Sequence, residues 1–203
     1  ALATGAVRVH YKGHWKQVIG KADAVVEATA HIPHMQNYFG LGNGSVYDRD
    51  DQRMRYYRTR FETYRLDPAL QWELNHTTTL RIGPSLQWYR FKASRNENRL
   101  IMQPGAIHTY DSLSFAANKG HAGIVAGIEK DNRNSRLRPS KGGYFRAGVA
   151  AYEGVTEFAK SYMQANAEMA VYTGFAQDAV VLANRIGGGI TWGHPAFYQS
   201  QFL

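Results

Sequence analysis

Residues Gly120 to Glu153 read GHAGIVAGIEKDNRNSRLRPSKGGYFRAGVAAYE, two alternating runs around a polar, proline-containing turn. With a period of two, Ala122, Ile124, Ala126 and Ile128 share one face, and His121, Gly123, Gly127, Glu129 and Asp131 share the other. Beyond the turn, Phe145, Ala147, Val149 and Ala151 oppose Tyr144, Arg146, Gly148 and Tyr152. A ribbon with one apolar side and one glycine-rich, charged side fits half of a soluble sandwich or the wall of a membrane barrel.

The same alternation extends outward in both directions. Val7, Val9, Tyr11 and Trp15 oppose Arg8, His10, Lys12, His14 and Lys16. Ala24, Val26, Ala28, Ala30 and Ile32 then oppose Val25, Glu27, Thr29 and His31, which predicts a hairpin. A polar, glycine-rich loop is expected over Pro33 to Arg53. A third strand region follows over Met54 to Leu74, with a bulge at Asp67 and Pro68. Asn75 and His76 form a tight turn into TTTLRIGPSLQWYRF, where Leu80, Ile82, Pro84, Leu86 and Trp88 oppose Arg81, Gly83, Ser85, Gln87 and Tyr89. A long loop spans Lys92 to Lys119, and its LIMQPGAI and LSFAA patches are candidates to fold over a rim. After the central pair, SYMQANAEMAVYTGF and AVVLANRIGGGITW continue the pattern, with Asn184 a polar intruder on the apolar face.

These runs give about eight strands in hairpin order with no helices between them, an all-β, antiparallel up-and-down arrangement. Connections alternate short and long, as in outer-membrane barrels, whose periplasmic turns are short and external loops long. The medium turn Asn132 to Lys141 is the exception, and parity places it on the periplasmic side.

Composition narrows the alternatives. The 203 residues suffice for one all-β domain, and apolar runs such as AVVLA at Ala179 to Ala183 fall far short of the ~20 residues of a membrane helix. There is no cysteine, which removes disulfides, a thiol nucleophile and zinc knuckles. A chain opening at Ala1 is expected to be a mature or trimmed product. The net charge of +8 fits a basic interior wall or an anionic lipid surface, and nucleic acid is not expected as a partner.

Two features favour the barrel over the soluble β-protein. Trp15, Trp72, Trp88 and Trp192 all carry the apolar parity near strand ends, as in an interfacial aromatic belt. The opposite parity carries Arg8, Lys12, Lys16, Arg81, Arg146 and Arg185 with Glu27, Glu73, Glu129 and Glu168. Such charges are costly in a dry core and ordinary in a hydrated lumen.

The turn KDNRNSRLRPSKGG resembles the Asp-Asn-Arg-Asn…Pro-x-x-Gly turn of the BamA/TamA (bacterial surface antigen) superfamily of outer-membrane barrels. The matching residues are Asp131, Asn132, Arg133, Asn134, Pro139 and Gly142, and they read first as a structural turn motif. VVLANRIGGGITWGHPAFYQSQFL is similar to the strand that leads into that family's lid loop, and NYFGLGNGS to a glycine-rich segment of some members. The resemblance implies that residues 1–203 form part of a larger outer-membrane barrel, the chain ending before the lid loop, with closing strands and periplasmic POTRA repeats outside it. It implies protein insertion or translocation at the bacterial outer membrane, working through a strand edge and not a side-chain catalyst. The implied partners are outer-membrane lipid, lipopolysaccharide and other outer-membrane or periplasmic proteins. The alternatives are a barrel that anchors or exports a fused patatin-like or metallophosphoesterase domain, and a passive anion-preferring pore.

No enzyme activity, cofactor or metal is expected. His10 and His14 lie four residues apart on one strand, ~13 Å, too far to grip one ion. GLGNG has no strand–glycine–helix context for a nucleotide loop, and Glu129 with Glu168 is no more than a pair of lumen carboxylates.

Overall fold

The computed structural model describes residues 5–39, 53–103, 115–177 and 179–199. Eight strands run β1 (Val7–Ile19), β2 (Ala22–Asn37), β3 (Arg58–Asn75), β4 (Thr78–Phe91), β5 (Lys119–Asp131), β6 (Gly142–Gly154), β7 (Tyr162–Phe175) and β8 (Val180–Gly193). All pair antiparallel with their sequence neighbours in a single sheet of order β1 to β8, and β1 and β8 are its two edges. Among the described residues, no helix is long and apolar enough to cross a membrane.

The sheet is curled, because side chains on strands that are not neighbours meet across its concave face. Ser85 of β4 lies 3.0 Å from the Tyr152 hydroxyl of β6, and the Tyr162 hydroxyl of β7 donates to Gln87 of β4 at 3.0 Å. This concave face carries the polar parity, and it is the buried one: Ser85, Tyr89, His121, Tyr152 and Tyr162 are all at or below 4% exposure. The apolar parity points outward, with Ile124 60%, Val149 56%, Met163 54% and Leu86 51% exposed. A sandwich half would bury the opposite face, so the burial pattern separates the two architectures.

Two strands depart from the bounds that their alternation suggests, β2 by running on and β3 by starting later. β2 continues to Asn37, five residues into the expected loop, after its register against β3 shifts between His31 and His34. β3 starts at Arg58, preceded by a one-turn helix α1 (Met54–Tyr57) where strand was expected. Most of NYFGLGNGS lies outside the described residues, as do the PGAI part of the first loop patch and the first two residues of LSFAA.

The expected bulge at Asp67 and Pro68 is absent. β3 and β4 pair Leu66 with Leu86 and Leu70 with Ile82 in one constant register, so no residue is inserted. That register sets Pro68 opposite Pro84. Neither has an N–H to donate, which opens the ladder there without shifting it. Gly83 lies alongside, where a Cβ would meet the Pro68 carbonyl oxygen at 2.1 Å and the Ala69 Cα at 2.5 Å, so the backbones can approach only because the side chain is missing. The tight turn sits one residue later than read, at His76 and Thr77, and the Asn75 carboxamide accepts from the Thr77 N–H at 3.0 Å.

Candidate functional site

The concave wall holds the predicted lumen charges in pairs. Antiparallel register places Lys12 beside Glu27, and Glu129, Arg146 and Glu168 in one cross-strand row. Glu27 takes both Lys12 at 3.2 Å and Arg81 at 3.1 Å. Glu129 meets Arg146 at 3.0 Å, and Glu168 meets Arg185 at 3.0 Å. Asp67 completes the belt, 2.6 Å from Arg65 and 2.5 Å from the Ser85 hydroxyl. Of the named lumen residues, Arg8 and Lys16 sit apart from this belt on the edge strand β1, both exposed. His14 bonds Asp23 at 2.7 Å instead of facing His10. Glu129 and Glu168 flank Arg146, so they are ion-paired wall residues. Each such pair has neighbours of opposite sign within reach, the condition under which charge is stable in a partly dehydrated interior.

The four tryptophans occupy both rims. Trp15 and Trp72 lie near the short-turn ends of β1 and β3, and Trp88 and Trp192 near the long-loop ends of β4 and β8. Trp15, Trp88 and Trp192 are 48%, 43% and 49% exposed, and Trp72 is intermediate. Two levels of amphipathic rings on an outward apolar band match the two interfaces of a bilayer.

The turn between β5 and β6 is ordered by its own side chains. Asp131 accepts from the Arg133 N–H at 3.2 Å and receives its guanidinium in a two-pronged contact of 2.8 Å on each oxygen. Asn132 accepts from the Gly143 N–H at 2.6 Å, and Asn134 accepts from the Ser140 and Lys141 N–H groups at 3.0 and 3.1 Å. Arg133 also lies 4.8 Å over the Tyr144 ring. Gly142 is required twice over: its φ is +97°, and a Cβ would meet the Asn132 carbonyl oxygen at 2.4 Å. Pro139 sits between the clamp residues Asn134 and Ser140, consistent with a turn role.

Asp131 lies beyond the aromatic rim, three residues past Ile128, which pairs with Leu80 and through it stands level with Trp72. The Arg133 hydrogen bonds hold its carboxyl down to about 2. A depressed carboxyl stabilises the turn fully above its ordinary range near 4, and that contribution fades as pH falls towards 2. Asp131→Ala is therefore expected to cost on the order of 1 to 2 kcal/mol after allowing for solvent screening, without blocking assembly. Hydrogen exchange at the Asn132 and Asn134 amides should speed up in the variant at pH 6, and unchanged protection would contradict the assignment.

Three groupings escaped the sequence reading. After β8 the chain folds back over the concave face at the long-loop end, where Phe197, 1% exposed, enters a cluster of Tyr38, Phe61, Tyr89, Phe91 and Ile101. Ile101 belongs to a 3₁₀ turn (Leu100–Met102), so that part of the first patch does fold against the rim, and Phe115 of the second packs beside it. Gln199 fixes the segment: its carboxamide accepts from the Ala196 N–H at 2.9 Å and lies 3.4 Å from His121 Nδ1, while its carbonyl accepts from Gln164 at 2.6 Å. His31 and His34 form a second grouping, their Nδ1 atoms 2.9 Å apart and the His34 ring stacked 4.9 Å from Phe61. The third is Glu62 of β3, ringed by Arg90, Lys92 and Arg95 on the outward face. Among the described residues, no three potential metal ligands cluster.

An up-and-down antiparallel sheet that turns its apolar face outward, lines its concave face with paired charges and carries indoles at both rims is the wall of a transmembrane β-barrel. Residues 23–200 match the model of the Omp85 superfamily domain, and the chain belongs to that superfamily, whose members are in general outer-membrane proteins that assemble or translocate proteins. A search of curated proteins finds none that matches the chain.

Proposed function

We propose that this chain is the barrel wall of an outer-membrane protein that inserts or translocates other proteins, acting through backbone edges and local bilayer distortion and not through side-chain catalysis. The observation that carries this reading is the superfamily match across residues 23–200. The ion-pair belt supports it against the passive anion pore. Lys12, Arg81, Arg146 and Arg185 each meet a carboxylate, so the belt offers little uncompensated positive charge to an anion. The aromatic plug around Phe197 weighs the same way. By the alternation of connections, the turn at 132–141 faces the periplasm and the loops after β2 and β4 face outward.

The test is reconstitution of the full-length protein in liposomes, with the folding rate of an added, urea-unfolded outer-membrane barrel as the readout. A rate at least about tenfold above empty liposomes, a barrier lowered by ~1.4 kcal/mol, is expected. Equal rates in both, with the protein demonstrably inserted, would reject the insertase reading and leave the anchoring role for a fused enzyme.

A further inference from the structure

We propose that the outward face of β2 to β4 at the long-loop rim is a binding site for a phosphorylated glycolipid of the outer leaflet. The proposal rests on the membrane orientation given above. Register makes this face a graded column. Glu62 stands opposite Arg90, then Tyr64 opposite Trp88, then Leu66 opposite Leu86. Charge, aromatic ring and aliphatic chain follow one another at two-residue steps of ~7 Å, the order in which a lipid presents phosphate, interface and acyl chain.

At the top of the column, three cations share one carboxylate. Lys92 Nζ is 3.1 Å, Arg95 Nη1 3.3 Å and Arg90 Nη1 3.7 Å from Glu62, which also accepts from the Tyr64 hydroxyl at 3.2 Å. The Glu62 side chain is only 5% exposed, whereas Arg90, Lys92 and Arg95 keep 51%, 34% and 45% of theirs accessible. Glu62 therefore gathers the cations and holds them in place, and their remaining positive charge faces out of the protein. A cluster of this kind, on an outward wall at the height of lipid headgroups, is complementary to phosphate.

Below it lies an apolar groove of about 550 Å³. Its floor is made of the small residues Ala28 and Ala30, and Tyr11, Leu66, Leu86 and Trp88 stand around it. A groove lined almost wholly by carbon, opening directly beneath a phosphate-binding cluster, accommodates acyl chains of the same molecule. Several cations and a rim on the outer side favour a bis-phosphorylated glycolipid over a phospholipid of the inner leaflet.

The test uses the full-length protein in phosphatidylcholine nanodiscs, with native mass spectrometry to count bound lipid as diphosphoryl lipid A or phosphatidylglycerol is added. Lipid A is expected to be retained about tenfold more tightly than phosphatidylglycerol, and the Arg90→Gln, Arg95→Gln double variant to weaken it by about tenfold. Ala30→Leu, which fills the groove without touching charge, is expected to weaken lipid A binding as well, while Arg138→Gln at the opposite rim leaves it unchanged. Equal retention of the two lipids, or retention unmoved by both the double variant and Ala30→Leu, would overturn the proposal while leaving the barrel intact. A wild-type protein that enters no bilayer would overturn the membrane reading and this proposal together.

Discussion

Replacing Ile124 by Arg is expected to abolish stable insertion of the barrel. Ile124 faces outward, 60% exposed, and pairs with Pro84, midway along β4 between Leu80 at the level of Trp72 and Trp88 itself. A guanidinium at the bilayer midplane on a lipid-facing strand costs about 2 to 4 kcal/mol, and no lumen carboxylate can reach through the sheet to pair with it. The neighbouring face should respond differently. Arg81→Ser removes one of two cations from Glu27, leaving Lys12 at 3.2 Å, so assembly should proceed. Heat-modifiable migration on cold gel electrophoresis reads both. Equal tolerance at the two positions would remove the distinction between a greasy outside and a wet inside.

The second large effect concerns the plug. Phe197 makes edge contacts with Tyr38 and Phe61 at 5.8 Å and with Tyr89 at 6.2 Å, and the Gln199 carboxamide braces the same short segment. Truncating a buried Phe costs about 3 to 5 kcal/mol of packing, more than one hydrogen-bonded Gln can offset. The Phe197→Ala, Gln199→Ala double variant of the full-length protein should therefore release the segment from the wall. Planar-bilayer recordings are expected to show small, infrequent openings for the wild type and frequent, larger ones for the variant. Identical conductance would mean that the segment does not obstruct the lumen.

The period-two pattern was legible because two different solvents select the two faces. Lipid keeps Ile124, Val149 and Ile186 apolar, and the lumen keeps Glu129, Arg146 and Arg185 charged, so strand identity and facing survive in the sequence alone. Partners did not, since parity assigns a face while only register sets Glu129 beside Arg146 and Glu27 within reach of both Lys12 and Arg81. Strand ends were hidden where alternation breaks. The register shift at His31 and His34 moves the end of β2 out of phase with its beginning, so Pro33 to Asn37 read as loop. Asp67 and Pro68 suggested an inserted residue. The facing Pro84 provides another solution, a gap in the ladder that leaves no periodic signature. The plug and the Glu62 cluster were illegible for a common reason. Phe197 meets residues of β3 and β4 far back in the chain, and Arg95 reaches Glu62 from a loop, so neither leaves a fixed spacing to read. The Asp131 to Gly142 turn was legible because the side-chain bonds that shape it, Arg133 to Asp131 and Gly143 to Asn132, span only a short stretch of sequence.

Residues 1–203 contain no cysteine, so β4 can be scanned with single cysteines from Thr79 to Tyr89, each carrying a nitroxide label, in the full-length protein reconstituted in liposomes, with any cysteine outside these residues replaced by serine. Collision with oxygen, enriched in acyl chains, should peak at positions 80, 82, 84, 86 and 88, and collision with a water-soluble nickel chelate should not. Oxygen accessibility in the opposite phase, or with no two-residue period, would contradict a wall whose apolar side meets lipid.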